Sequence, residues 1–474
     1  MAIPSIMNTG NSGLVAAKTA IATTGHNITN ANTEGFSRQR VITEAADAAG
    51  GRFSNVGVGM GTHVTRVERI NDEYIEKQLR NSQKEFSHFE EKDLLLKQVE
   101  DVFNEMNGDG LNRLVSKFFN EFRKLSQEPE SPAFRESLRE ASQAMVNDFH
   151  RLRSEVDEVR KHIDAKIEGY TKEVNSLSGQ IAELNGQIRQ EEVKGHSPND
   201  LLDKRDLALK RLSSFLDVAM HKDNNDHYNV DIRGVGPLVT SVFHETLSAE
   251  RTPADDQGKP EQAYDLISTG TARGTITHQI KGGKLGALVE TRDRTLSTIL
   301  SRLDEMAYSL TTAVNDVHVQ GFTLNGMQGV RFFNPLEERD RAAEFISLSD
   351  EVRSSANNIA TAVEPDSPGD NRIAIGIARL QNEKFLGDGS STADEWYNSI
   401  VSDVGVASSR NRFSLNQQKD IMTQLNKVRE QISGVSIDEE TANLLQFQHV
   451  FDASAKVIQI ADEMFKTVLA LKRD

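Results

Sequence analysis

The sequence predicts a mainly α-helical, elongated chain with a smaller β part, and three observations carry that reading. Apolar residues recur every seven positions near both ends of the 474-residue chain. A helical-period run extends from Leu138 to Ile188. Strand-like alternation gathers near the middle, between 216 and 284. The expected layout is nested, with paired N- and C-terminal coiled-coil helices outermost, a long helical bundle inside them and a small β domain inserted centrally. Residues 1–35 form the N-terminal helix and 36–70 an extended arm or β-hairpin. Residues 71–215 and 285–432 form the two parts of the bundle, 216–284 the β domain and 433–474 the C-terminal helix.

Taken in order, Met7, Leu14, Ile21 and Ile28 lie seven apart, with Ala17, Thr24 and Ala31 at the intervening seam positions. Ala16, Ala20, Ala22, Thr23 and Gly25 around them are small, so a second helix can approach closely. Asn32, Gly35, Gly50, Gly51, Gly57, Gly59 and Gly61 then break the helical period, while 38–43 and 62–67 alternate as strands do. The glycine-rich run from Val56 to Gly61 has neither dinucleotide-fold nor P-loop spacing, so a turn is expected there. A helix over 71–103 carries Ile75, Leu79, Phe86, Phe89, Leu96 and Val99 on one stripe. A second, over 111–125, carries Leu114, Phe118 and Phe122 and is ended by Pro129 and Pro132.

The run from Leu138 to Ile188 implies a rod of roughly 80 Å, which needs other long helices beside it. Gly195 to Asn199 breaks the rod, and a helix resumes over 200–212. Its Asp203, Arg205 and Asp206 suit a turn held by charges better than acid/base chemistry. Strands are expected at 228–232, 238–243, 263–267 and 275–280, separated by turns at 223–226 and 252–258. The acidic cluster over 223–231 lacks EF-hand spacing. Helix returns over 285–321, a loop with extended pieces follows, a turn lies at 365–371, and 395–432 is helical again. The final seam has Leu444, Phe451, Ile458 and Phe465 seven apart, with Phe447, Ser454, Ala461 and Val468 between them. Ser436 and Glu439 have capping-box spacing, Asp438 and Glu440 place negative charge in the first turn, and Lys466, Lys472 and Arg473 lie toward the other end.

Composition excludes several classes. A formal net charge of −16 argues against a nucleic-acid binder and against binding to anionic membranes. No run of about 18 apolar residues predicts a membrane span. The first residues lack a basic n-region and an apolar h-region, so no Sec-type signal peptide is expected. The absence of cysteine removes disulfide and thiolate chemistry. The twelve histidines are scattered, and neither a zincin nor a nucleophile-elbow motif is present. No catalytic residue, metal, cofactor or small-molecule substrate is expected. A free-standing secreted coiled-coil protein would share the rods but would not need matched seams at both ends.

Ser12-Gly-Leu and the stretch from Asn27 to Arg38 (Asn-Ile-Thr-Asn-Ala-Asn-Thr-Glu-Gly-Phe-Ser-Arg) resemble the N-terminal signature of the bacterial flagellar axial family of rod, hook and hook-associated proteins. The stretch from Ser433 to Gln448 and Ala453-Ser-Ala-Lys-Val-Ile resemble its C-terminal signature. Within that family, 198–206, 315–322 and 368–371 are similar to the first hook–filament junction proteins; hook, distal rod and second junction proteins are the alternatives. The resemblance implies a structural junction subunit on the extracellular flagellum, exported through the flagellar type III channel. It implies contact with copies of itself, with the flagellar hook protein and with the second junction protein FlgL. It also implies an export chaperone, FlgN, covering the C-terminal seam of Leu444, Phe447, Phe451, Ile458, Ala461, Phe465 and Val468. The N-terminal assembly seam would be Leu14, Ala17, Ile21, Thr24 and Ile28; Asn27, Asn30, Asn32, Gly35 and Phe36 belong to the axial-family motif, and the first four of these are expected to end the first helix and set the turn. The middle is too short for two β domains, so the additional outer domain of some members is expected to be absent or reduced.

Overall fold

The computed structural model describes residues 2–46, 59–103, 110–222, 228–251, 263–269 and 274–471. Helix α1 (Ala2–Thr29) opens the chain and is followed by an antiparallel hairpin, β1 (Gln39–Ala45) and β2 (Thr62–Arg69), with a bulge at Ile42/Thr43. Residues 56–58 of the turn expected over Val56–Gly61 lie outside the described residues, as do the turns at 223–226 and 252–258 and the terminal Lys472 and Arg473.

The bundle begins with α2 (Glu73–Val102), whose first turn is capped by Asp72 accepting from the Tyr74 and Ile75 N–H groups. Then come α3 (Leu111–Leu125) and α4 (Pro132–Val193). Helix α4 has 62 residues, about 93 Å at the usual rise, and starts on a proline that needs no donor there. Helix α5 (Asn199–Phe215) folds back along it. After the β part come α6 (Gly283–Glu290), α7 (Ser297–His318), β10 (Phe322–Thr323), α8 (Ala342–Phe345), α9 (Asp350–Ser354), β11 (Ala360–Ala362) and α10 (Arg372–Arg379). Helix α11 (Ala393–Ser433) starts on a full capping box between Thr392 and Glu395 and runs antiparallel along α2. Helix α12 (Ile437–Leu471) closes the chain. Among the described residues no helix is long and apolar enough to cross a membrane.

The expected single β domain takes a different form. Strands β3 (Val218–Lys222), β4 (Tyr228–Ile232), β5 (Gly236–Thr240) and β6 (Phe243–His244) make one sheet, all antiparallel. Strands β7 (Leu247–Arg251), β8 (Tyr264–Ser268) and β9 (Gly274–Thr275) make another. The strand expected over 275–280 is mostly a 3₁₀ turn at Thr277–Gln279, and the one expected over 238–243 is broken at Ser241, where φ is 55°. Both sheets lie on the second half of α4, so strands as well as helices flank the rod. Asn175 brackets Leu247 through its N–H and C=O at 2.8 Å each, and Asn185 donates to the carbonyls of Tyr228 and Ser241. Val230, Leu238, Val239 and Leu266 belong to the same buried cluster as Val174, Ile181 and Leu209 of the bundle, so these strands share the bundle's core.

The helix expected over 285–321 contains a π-helical segment, Thr291–Leu296. It turns the fully buried Arg292 between α4 and β8, where it donates to Asp164 and to the Tyr264 carbonyl at 2.7 Å each. Burial opposes the charge there, and Asp293 and Asp164 together outweigh it and hold the guanidinium above its ordinary range.

Candidate functional site

Helices α1 and α12 pack antiparallel: Gly10 faces Ser454 and Ile458, while Asn27 reaches Glu440. A Cβ on Gly10 would lie 2.7 Å from Ile458 Cγ1, and one on Gly13 would lie 2.8 Å from Ser454 Oγ. The two helices therefore close on positions without side chains. On α1 the buried line is Gly10, Ala17, Ala20, Thr24 and Asn27. The expected N-terminal seam divides between this line and its flank. Ala17 and Thr24 lie in it, whereas Leu14, Ile21 and Ile28 are half-buried along its edge and Met7 is 40% exposed. The physical reason is spacing: the smallest residues permit the closest approach, and the large seven-apart residues flank that line.

On α12 the expected face is the one that meets α1. Ala461 is fully buried, and Leu444, Phe447, Phe451, Ser454 and Ile458 are half-buried. Phe465 and Val468 do not join them. With Gly10 opposite Ser454 and Ile458, α12 runs on beyond the start of α1, and these two remain 47% and 53% exposed. The outer face of α12 is apolar as well, with Leu445, Val450, Ile460 and Met464 exposed.

Where the pair meets the bundle, four separated stretches, 27–39, 67–69, 199–206 and 433–440, converge into a polar joint. Asn27 Nδ2 donates to the Gln39 carbonyl at 2.8 Å and to Glu440 at 2.9 Å, while its Oδ1 accepts the Gln39 N–H at 2.9 Å. Arg38 donates to Glu440 at 2.8 Å and to Glu439 at 3.0 Å, and its backbone N–H to the Ser433 carbonyl. Gln39 Nε2 donates to Asp200 at 2.8 Å, and Asn199 Nδ2 donates to the Gln39 side chain and the Val67 carbonyl. Asp203 accepts the Ser37 N–H at 3.0 Å, and Arg69 bridges Asp203 and Asp206. Burial opposes the Arg69 charge, but the two carboxylates hold its pKa above the ordinary value.

The other expected residues sit at the rim. Asn30 donates to the His26 carbonyl at 3.0 Å and ends α1. Gly35 has φ 84° and its carbonyl accepts from Arg429; Phe36 meets the His26 ring edge-on at 5.4 Å. Asn32 is exposed. Ser12 accepts the Thr62 N–H at 3.2 Å and ties the hairpin to α1. Asp203 and Asp206 are engaged by donors, so the arrangement is a latch between elements. Among the described residues no group of His, Asp and Glu could hold a metal. Sequence reasoning missed Arg38, Gln39, Arg69, Asn199, Asp200 and the buried role of Glu440. The available signal was opposite charge in motifs remote along the chain.

Residues 96–333 match the family model described as flagellar hook-associated protein FlgK helical domain, and 430–471 match flagellar basal body rod FlgEFG protein C-terminal. The chain is 31% identical to flagellar hook-associated protein 1 of Bacillus subtilis, covering 98% of this chain and 97% of that protein. It is 26% identical to flagellar hook-associated protein 1 of Salmonella typhimurium and of Escherichia coli, covering 99% of this chain and 100% of each relative. Those two alignments run over 557 and 552 positions against 474 residues here, so these relatives contain insertions that this chain lacks. The fold is similar to that of the flagellar hook junction protein FlgK from Burkholderia pseudomallei, with a TM-score of 0.66 at 15% identity, covering 75% of this chain and 100% of that one.

Proposed function

The chain belongs to the flagellar hook-associated protein 1 family, and on that premise we propose that it is the structural subunit joining hook to filament in the bacterial flagellum. It assembles with other flagellar proteins by helix packing. The observation that carries the mechanism is the α1–α12 pair. Asn27, Arg38 and Glu440 tie it to the start of the hairpin, which Asp200 and Asp203 of α5 hold through Gln39 and the Ser37 N–H, and it still presents a second apolar face on α12. A helix with two apolar faces needs a further partner, and an open helical array supplies one through heterologous contacts.

We extend this reading in three ways. Residues 1–35 and 433–474 act as one terminal unit, and 71–432 as the outer body. The flagellar hook protein and FlgL are its neighbours. FlgN holds the exposed Phe465, Val468 and Leu469 out of water before export through the flagellar type III channel, which needs no cleaved signal. The test is deletion of the gene. Intact hooks with flagellin shed into the medium are expected, and restoration of the gene should return filaments. Loss of hooks would place the chain in the rod or hook, and unaffected filaments would remove it from the junction.

A further inference from the structure

Helix α3 divides into two faces of opposite character. Its Phe118, Phe119 and Phe122 are fully buried, and Phe118 and Phe122 meet the Phe332 ring at 5.7 and 5.4 Å, so the helix is fixed in the core. Its exposed positions are Arg113, Lys117, Asn120, Arg123 and Lys124, and exposed Gln127 continues the line past the helix end. Positions 113, 117, 120, 124 and 127 step by four and three, which sets them in one row about 21 Å long. They line a shallow groove of about 530 Å³. Four exposed cations on one helix run against the chain's net charge of −16. Little within the chain neutralises them. Lys117 forms no ion pair among the described residues. Arg123 donates to the side-chain oxygens of Asn120 and Gln381, which are neutral. The helix has a single acid, Glu121, which is 3% exposed and is shared between Lys124 and Ser137. Asp394 of α11 faces Ser116 at 3.5 Å.

We propose that this row docks an extended acidic segment of a different polypeptide. Its cations supply charge-assisted hydrogen bonds to carboxylates, the way basic clusters read acidic motifs. The spacing suits an extended chain, in which alternate side chains recur about every 7 Å, while four residues of helix rise about 6 Å. The amides select a polypeptide over a phosphate polymer. Asn120 and Gln127 can donate and accept, which matches a peptide backbone, whereas phosphate oxygens only accept. The place selects a partner other than a copy of this chain. Glu121 bonds Ser137 of α4 and Arg205 of the joint bonds Asn185, so about 72 Å of rod separates the row from the α1–α12 pair and its exposed apolar face. The rest of the surface repels an acidic ligand, so binding is confined to the row.

The experiment titrates the purified full chain into a fluorescein-labelled peptide of alternating glutamate and serine and follows anisotropy. The expected result is binding that weakens as salt rises. Lys117→Glu/Arg123→Glu should weaken it by about tenfold or more. Lys161→Glu/Lys172→Glu makes the same charge change at exposed positions of α4 and should leave binding within about twofold. All four side chains are exposed, and calorimetry verifies that both variants stay folded. No binding by the native chain, equal loss in both variants, or equal binding of the glutamine counterpart of the peptide overturns the docking row. Tighter binding of inorganic polyphosphate, lost in the first variant, gives the row to phosphate polymers and overturns the polypeptide assignment. A salt-sensitive dimer of the native chain that the first variant loses gives it to a second copy and overturns the assignment as well. Each of these failures leaves the junction reading standing.

Discussion

Asn27 carries more of the terminal joint than its size suggests. It satisfies both backbone groups of Gln39 and one oxygen of Glu440, which is 2% exposed. Asn27→Ala leaves those buried groups unpaired, at a cost of about 1–3 kcal/mol. Amide exchange in α12 should therefore accelerate roughly 5- to 150-fold, while exchange in α4 stays unchanged; unchanged α12 exchange would remove Asn27 from the joint. His318 makes a second residue-scale prediction. Its Nδ1–H donates to the Val330 carbonyl at 2.7 Å, and its Nε2 accepts the Ala360 N–H at 2.8 Å, so the ring must be neutral. Burial lowers its pKa to about 4 from 6.5. Between those values the unfolded chain binds the proton and the folded chain does not, so stability falls as pH drops, by up to about 3 kcal/mol. Glu290, held down to about 2 by His88 and Lys92, adds its loss only as pH falls below its ordinary 4.5. Denaturant titrations at pH 7 and 5 should separate for the native chain and converge for His318→Gln; equal pH dependence would sink the assignment. Neither role was legible beforehand. Glu440 looked like a first-turn acid, because its partner Arg38 is 402 residues away in sequence.

At the scale of elements, legibility followed periodicity. Helix α4 was readable from Leu138 to Ile188 because an apolar residue returns every three or four positions over many turns. Strands β3 and β7 were missed because each has five residues, only its first buried and the others partly or fully exposed, so no alternation stands out. The seam of α1 was legible in part, through Ala17, Thr24 and the small residues around them. Leu14, Ile21 and Ile28 gave a strong period, but the contact line runs through glycine, alanine, threonine and asparagine, which hydrophobic patterning does not mark as core. Helices α1 and α12 contribute no residue to the bundle's buried cluster. Deleting 437–474 should accordingly leave a cooperative bundle that melts within a few degrees of the full chain but does not assemble, as read by calorimetry and by flagellar incorporation. Loss of the cooperative transition would make the tail part of the core.

For the whole molecule, the chain's first and last helices form one unit with the hairpin packed on α1, and residues from α2 to α11 form a body whose helices and strands share a core. The nested order follows from chain reversal: α2 and α11 run antiparallel within the body, as α1 and α12 do beyond it. The chain has no cysteine, so a designed pair can report on this directly. The Cβ position of Gly13 lies 3.6 Å from Ser454 Cβ, within the range a disulfide spans. In the purified double variant Gly13→Cys/Ser454→Cys, mild oxidation should close a bond within one chain, seen as a faster band on a non-reducing gel and a single linked peptide by mass spectrometry. Gly25→Cys/Ser454→Cys, displaced about 18 Å along α1, should remain reduced. Free thiols in the first variant, or equal closure in both, would contradict the pairing of the chain's two ends.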